Sequence, residues 1–388
     1  MKKKLAIISS HPIQYNAPMF ALLAKSETIE PKVFYTWSQS REELFDKDFG
    51  KTIQWDIPLL EGYDYEFVEN VSPDPGPKGY KGIVCPELNQ KIKEWGANAI
   101  LVFGWNYQAH FRAMKYFKGK IPVHFRGDST LIDETGGARQ MIRRLFLTWI
   151  YKHTNYAFYV GENNRQYFLK HGLKNSQLFF APHAIDNKRF NDAEGIYKIE
   201  ASAWRKELRI GEDKIILLFV GKFEPKKNPL ILIEAARQSN NPDLHVVFVG
   251  NGLLEDEVKA KSKGMENIHF LPFQNQSRMP VVYYLSDILA LPSQGPGETW
   301  GLVINEAMAC ERAVLVSTKA GCAIDLVENG KNGYIFESGN LQQCVDVMNK
   351  MMVSKDQLRK MGEYSHKKIQ EWSFQAIVSS IENNLKTR

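Results

Sequence analysis

The amino-acid sequence predicts an α/β protein of two doubly wound, Rossmann-like domains, and three observations lead there. The 388 residues exceed what one hydrophobic core ordinarily supports. Short apolar runs alternate with amphipathic helical stretches, which is how a parallel sheet covered by helices on both faces reads in sequence. The alternation also runs its course twice, with a polar interruption between the two series.

In the first series, strands are expected at LAIIS (5–9), KVFYTW (32–37), AILVFG (99–104), VHFRG (123–127), YAFYVG (156–161) and LFFAP (178–182). The second begins with IILLFVG (215–221) and continues through HVVFVG (245–250), IHFLPF (268–273), ILALPS (288–293), AVLVST (313–318) and GYIFE (333–337). Residues 186–212 are polar and poorly periodic and read as the crossing between domains, which are placed at 1–185 and 186–373. Residues 72–82, with three prolines and three glycines, form a loop inside the first domain. Open parallel sheets bind ligands beyond the carboxyl ends of their strands. Functional residues are therefore sought in those loops, facing a cleft between the domains.

Charge is unevenly placed. Residues 1–185 hold 24 Lys and Arg against 18 Asp and Glu, whereas residues 186–388 hold 26 of each, so the net charge of +6 lies wholly in the first half. An anionic membrane surface or a phosphorylated acceptor suits that excess better than nucleic acid, and an ordinary solvated face accounts for it equally. Cys85, Cys310, Cys322 and Cys344 lie far apart, which indicates neither a zinc cluster nor a disulfide framework and fits a reducing compartment. The apolar run after MKKK is too brief for a signal peptide, and no stretch approaches the roughly 20 apolar residues that span a bilayer. A cytoplasmic protein is expected, with peripheral contact with the inner face of an anionic membrane as an extension of that reading.

The most informative segment is PSQGPGETWGLVINEAMAC, 292–310, which sets Glu298 and Glu306 on either side of a helix start. A helix N-terminus offers unpaired amides and the positive end of a macrodipole, so Thr299, Trp300, Gly301 and Leu302 can cradle a phosphate. Glu306 then falls about two turns in, and eight helical residues rise about 12 Å, a separation that lets one carboxylate meet a sugar and the other a ribose across a shared diphosphate. A buried amphipathic helix with two solvated glutamates explains the same spacing. Upstream, GKFEPKKNPLILIEAA places Lys222 and Lys227 in a turn before a helix, where they can meet a diphosphate or simply be solvated. Asn251 and Gly252 form a turn after another strand, and Phe273 ends a third, where an aromatic can join the core.

These segments together resemble the retaining glycosyltransferases of family 4, the glycosyl transferases group 1 type, which have the GT-B fold. The E-x7-E signature is matched by Pro292, Ser293, Glu298, Gly301, Glu306, Ala307, Met308, Ala309 and Cys310, with Trp300 and Glu311 as departures from the usual Phe and Gly. Gly221, Lys222, Lys227 and Asn228 match the upstream phosphate loop, with Lys222 in place of the commoner Arg. Gly321, Val327, Asn329, Gly330, Gly333 and Tyr334 keep a closing signature in which Ala320 and Asp325 are substitutions. Pro182, Ile185, Asp186 and Phe190 match the interdomain passage, with Ala184 replacing its Gly. The resemblance implies that the last helix, about 374–388, crosses back onto the first domain. It also implies that the turn at Asn251 and Gly252 lies close to the nucleoside and that Phe273 can pack beside its base.

The first half is less legible. His11 stands in the loop after the first strand, where the resembled family usually has a glycine-rich loop, so a specialised acceptor side is expected. Arg126 and Asp128 follow another strand and can contact sugar hydroxyls or phosphate, or each other as a surface ion pair. The stretch 137–153 combines Arg139, Arg143 and Arg144 with Ile142, Phe146, Trp149 and Ile150. Such a helix can lie on an anionic bilayer, and a helix covering its own sheet shows the same stripe.

The resemblance thus implies transfer of a sugar from a nucleotide diphosphate donor to a hydroxyl of a glycan or lipid-linked acceptor, with retention at the anomeric carbon, in bacterial-type polysaccharide, lipopolysaccharide or glycolipid synthesis. Lys222 and Lys227 would stabilise the departing diphosphate with no metal or cofactor, Glu298 would hold the sugar, and Glu306 the ribose. A GT-B epimerase acting on a nucleotide sugar and a non-catalytic nucleotide-sugar-binding subunit are the alternatives.

Overall fold

The computed structural model describes residues 2–41, 44–46, 51–53, 56–239 and 241–386. The chain divides into two compact units: Met1–Leu44, Ile57–His183 and Phe374–Arg388 form the first, and Phe45–Asp56 with Ala184–Ser373 the second. In chain order the strands are β1 (Lys3–Ser9), β2 (Ile29–Tyr35), β3 (Leu44–Asp46), β4 (Lys51–Ile53), β5 (Asp64–Phe67), β6 (Ala99–Phe103), β7 (Val123–Arg126), β8 (Tyr156–Tyr159) and β9 (Leu178–Phe180). They continue as β10 (Ile215–Val220), β11 (Leu244–Val249), β12 (Ile268–Leu271), β13 (Ile288–Leu291), β14 (Ala313–Ser317) and β15 (Gly333–Phe336). Each of the twelve strands read from the sequence is present.

Unit 1 contains a seven-stranded sheet in the order β5-β2-β1-β6-β7-β8-β9, and unit 2 a six-stranded sheet in the order β12-β11-β10-β13-β14-β15; β3 and β4 form a separate pair. Both large sheets are parallel. Parallel strands need helical crossovers that cover both faces, so their side chains are apolar on both sides. Leu5 to Ile8 in β1 and Ile216 to Phe219 in β10 are at most 1% exposed. All four cysteines are buried and unbridged.

Strand β5 and the helix within residues 186–212 differ from the sequence reading. Strand β5 has no counterpart in it; this is a polar edge strand, with Glu66 ion-paired to Lys32 (3.1 Å) and Lys91 (2.8 Å), and an edge needs no apolar run. Residues 186–212 are not a structureless crossing. They belong to unit 2 and include the helix Ile196–Glu207, whose inward anchor is Arg205, donating to the carbonyls of Leu285 (3.2 Å), Gly211 (2.9 Å) and Lys214 (2.7 Å). A buried arginine in place of an aliphatic residue hides the helical stripe. The last helix, Phe374–Lys386, packs in unit 1, where Asn384 Oδ1 lies 2.8 Å from His124 Nε2 and the Leu385 carbonyl accepts from Lys3 (2.6 Å).

Candidate functional site

The order of each sheet reverses once. In unit 2 the chain runs from β10 outward to β11 and β12, then returns to lay β13 on the other side of β10. The connections leaving β10 and β13 therefore lead toward opposite edges of the sheet, and open parallel sheets bind ligands at such a point. Those loops carry the lysines and Glu298.

The β10 loop is held from one side by the β11 loop. The Phe223 amide donates to the Asn251 carbonyl (2.8 Å), and the Leu254 amide donates to the Phe223 carbonyl (2.8 Å). Glycine is required for this approach: Gly252 has φ +149°, and a Cβ there would lie 2.8 Å from both the amide nitrogen and the carbonyl oxygen of Phe223. Gly221 opens the loop and half-buried Lys222 follows it. A short 3-10 turn, Pro225–Lys227, and Asn228 in the left-handed region (φ +50°) then lead to the helix Leu230–Gln238.

On its other side the β10 loop is stitched to the β13 loop. The Gln294 amide donates to the Lys226 carbonyl (2.8 Å) and its side chain to the Pro225 carbonyl (2.7 Å). Lys227 Nζ forms an ion pair with Glu298 Oε2, which also accepts from Ser293 Oγ (2.9 Å). Glu298 is buried, and Lys227 is close to it. A carboxylate taken out of water without a partner carries a penalty of several kcal/mol, so Lys227 and Ser293 are what permit Glu298 to sit there.

The backbone of Glu298 is fixed from behind. The Gly321 amide donates to the Glu298 carbonyl (3.1 Å) and the Cys322 amide to the Trp300 carbonyl (3.0 Å). A Cβ on Gly321 would fall 1.8 Å from the Thr299 carbonyl oxygen, so no other residue fits. Burial first and Glu298 second hold the Cys322 thiol well above its ordinary pKa; it packs as a neutral group.

Gly301, at φ +101°, caps the helix Leu302–Ala309. This corrects the helix start inferred from sequence: Thr299 and Trp300 precede the helix, because a left-handed residue cannot lie within one. The Ile304 amide donates to the Gly301 carbonyl (2.9 Å), while helix geometry leaves the Leu302 and Val303 amides without acceptors inside the helix. Trp300 is buried as a packing residue, its indole N–H donating to Asn305 Oδ1 (2.8 Å). Glu306 is the fifth helical residue, one turn in and not two, which puts it about 6 Å along the axis from Leu302. It is 2% exposed and accepts from the Tyr283 hydroxyl (2.5 Å).

The structure thus brings Lys227, Glu298 and Ser293 into contact, sets Lys222, Gly221, Asn251, Gly252, Gly301 and Leu302 on the adjoining loops, and places Glu306 in the interior. Phe273 is half-buried after β12, the edge strand two places from β10. Sequence reasoning missed the roles of Ser293, Gln294 and Tyr283. Ser293 carried a signal, since a hydroxyl at the end of a strand and five residues before Glu298 can turn back to it; nothing local marked Tyr283.

In unit 1 the reversal lies between β1 and β6. His11 follows β1 there, with Nδ1 2.9 Å from Ser10 Oγ and its ring edge-on to Trp37 at 5.2 Å; burial lowers its pKa to about 4. Arg126 is not presented to a ligand. It is buried and donates to the carbonyls of Ala181 (2.7 Å) and Pro182 (2.8 Å), because those strand-end carbonyls have no ladder partner. Asp128 lies 3.9 Å from His183 Nε2, and burial lowers the His183 pKa to about 4, so the imidazole beside it is neutral near pH 7; the Asp128 charge still acts on the Arg126 guanidinium.

Comparison with known proteins agrees with this geometry. Residues 200–368 match the family Glycosyl transferases group 1. The chain is 29% identical over 214 residues to D-inositol 3-phosphate glycosyltransferase of Nocardia farcinica, covering 52% of this chain and 46% of that protein. It is 29% identical over 171 residues to O-antigen chain mannosyltransferase C of Escherichia coli, covering 43% of this chain and 44% of the other. The chain thus spans less than half the length of these curated relatives. Among solved structures, HepE of Anabaena in complex with UDP and glucose superposes with a TM-score of 0.72 at 17% identity over 100% of both chains. Sucrose-phosphate synthase from Thermosynechococcus elongatus gives 0.72 at 16% identity, over 100% of this chain and 99% of that one. These likenesses establish the two-domain GT-B fold. The matched segment, residues 200–368, contains Lys222, Lys227, Glu298 and Glu306, so it is this part of the chain that is similar to the glycosyl transferases group 1 family.

Proposed function

We propose that this protein transfers a sugar, with retention at the anomeric carbon, from a nucleoside diphosphate donor to a hydroxyl of a glycan or lipid-linked acceptor, in the synthesis of a bacterial-type polysaccharide, lipopolysaccharide or glycolipid. The observation that carries this reading is the meeting of Lys227 and Glu298 at the order reversal of the second sheet, beside the amide end of the Gly301 helix. The structural neighbour HepE was crystallised in complex with UDP and glucose, so uridine diphosphate is the first nucleotide to test.

In this reading the diphosphate takes a share of Lys227 from Glu298 and meets Lys222 and the Leu302 and Val303 amides. Departure of the diphosphate places negative charge on its oxygens, and groups already oriented toward that charge lower the barrier without reorganising. Glu298, held by Ser293 and by the Gly321 amide behind it, accepts hydrogen bonds from the sugar's hydroxyls. The chain's own cations supply the electrostatic work, so activity in the presence of a chelator is expected to equal that without it. Glu306 is proposed to act on the ribose only through a shift of its bond to Tyr283; otherwise it orders the helix.

The test is turnover of UDP-sugars against product analysis. Transfer to acceptor that disappears in Glu298→Gln, with UDP affinity kept within about threefold, supports the proposal. An isomerised donor in the absence of acceptor, or donor binding with no product from any acceptor class, overturns it.

A further inference from the structure

One helix of unit 1 has two apolar faces, and only one of them is covered. In Ala138–Tyr151, Leu147, Ile150 and Tyr151 are buried, Leu147 and Tyr151 within the unit's core. At 3.6 residues per turn, Met141, Ile142, Leu145, Phe146 and Trp149 fall within a separate arc of roughly 140°. These five are 66, 69, 69, 47 and 44% exposed. A helix that only covered its own sheet would not carry this second stripe.

The charges around the stripe have one sign. Arg139 lies at one border of the arc and Arg144 at the other, with Arg143 beside the first, and the helix has no acidic residue. The nearest acid in sequence, Glu134, is engaged by Lys170 (2.5 Å) and Arg143 (3.6 Å). The neighbouring helix, Gln108–Phe117, touches this one through Phe111 and Trp149 (ring centres 5.2 Å apart), also lacks acids, and exposes Arg112 and Lys115. A second copy docking by the same face would set arginines against arginines, since a two-fold contact opposes like patches. An anionic bilayer offers the complementary sign to the rim and an apolar phase to the stripe, with aromatic rings at the boundary between them.

We propose that the face formed by Met141, Ile142, Leu145, Phe146 and Trp149 inserts into the surface of an anionic phospholipid bilayer, with Arg139, Arg143 and Arg144 on the headgroups. The proposal stands apart from sugar transfer, because binding is read with no donor or acceptor present. The experiment is sedimentation of the full chain with vesicles of phosphatidylcholine alone or mixed with phosphatidylglycerol, at low and high salt. The expected result is binding about tenfold or more tighter to the mixed vesicles, weakened by salt. Ile142→Glu/Leu145→Glu should lose that binding about tenfold or more, and Arg139→Gln/Arg143→Gln/Arg144→Gln should lose the preference for phosphatidylglycerol. The substituted side chains are exposed, and unchanged thermal melting by circular dichroism checks the fold. Equal or absent binding to the two vesicle types overturns the proposal. So does vesicle binding unaffected by the glutamates, or a wild-type dimer that the glutamates dissolve.

Discussion

The two sheets share a construction, parallel strands with one reversal of order, yet their strand ends are used differently. In unit 2 the polar side chains at the reversal engage one another across loops: Lys227 with Glu298, Ser293 with Glu298, Gln294 with the 225–226 backbone. In unit 1 the corresponding groups serve the architecture. Arg126 holds strand-end carbonyls, and His110 lies between Thr36 Oγ1 (2.8 Å) and the Phe103 carbonyl (3.0 Å). The lesson is that topology supplies the place, while the chemistry depends on whether its polar groups are committed to the backbone or to one another.

The sharpest way to break this comparison is to exchange the carboxylates' importance. Glu298→Gln is expected to lower kcat by roughly 10²–10³-fold, the scale of a removed charge-orienting group, while Asp128→Asn in unit 1 changes it by less than about tenfold. Steady-state kinetics that reverse this order would refute the assignment of chemistry to unit 2. Next in size is Gly321→Ala, whose methyl meets the Thr299 carbonyl. A destabilisation on the order of 3 kcal/mol in urea unfolding is expected, together with lost activity, whereas Gly339→Ala, with open space around it, loses about 1 kcal/mol from its positive φ alone.

Arg126→Leu leaves two buried carbonyls without donors and is expected to destabilise by about 2 kcal/mol, with the donor KM unchanged if the residue is architectural. A raised KM with unchanged stability would make Arg126 a ligand contact after all. The smallest effect per group is with pH. Burial lowers His11, His110 and His183 in unit 1 to about 4, so between pH 6.5 and 4 the unfolded chain binds protons that the folded unit does not. Stability from these groups is full above pH 6.5 and is lost as pH falls, on the order of 1 kcal/mol per histidine by pH 5.5. Burial also lowers His124 and His171 in unit 1, against His269, lowered to about 4, and His245 in unit 2, so hydrogen exchange corrected for intrinsic rates should show unit 1 loosening first.

Much of this was legible because main-chain periodicity and glycines are written locally. Twelve strands announce themselves as apolar runs, and Gly301, Gly252 and Gly321 mark places where the backbone alone can pass. The helix start was misplaced because Gly301's left-handed conformation has no signature distinct from an ordinary helical glycine. Tyr283 and Glu306 meet across two helices, and Arg126 reaches carbonyls more than fifty residues away. Such pairings are set by the folded sheet order and leave no pattern within a window of sequence. Edge strand β5 and the Arg205 helix escaped for the opposite reason, since their stabilising side chains are polar.

A crystal structure with whichever of UDP, GDP or ADP most raises the melting temperature, bound together with its sugar, tests the central claim most directly. The account places the diphosphate against Lys222, Lys227 and the Leu302 and Val303 amides, with Glu298 on the sugar. A diphosphate seated elsewhere, or Glu298 still paired only with Lys227 and Ser293 beside a bound sugar, would contradict it.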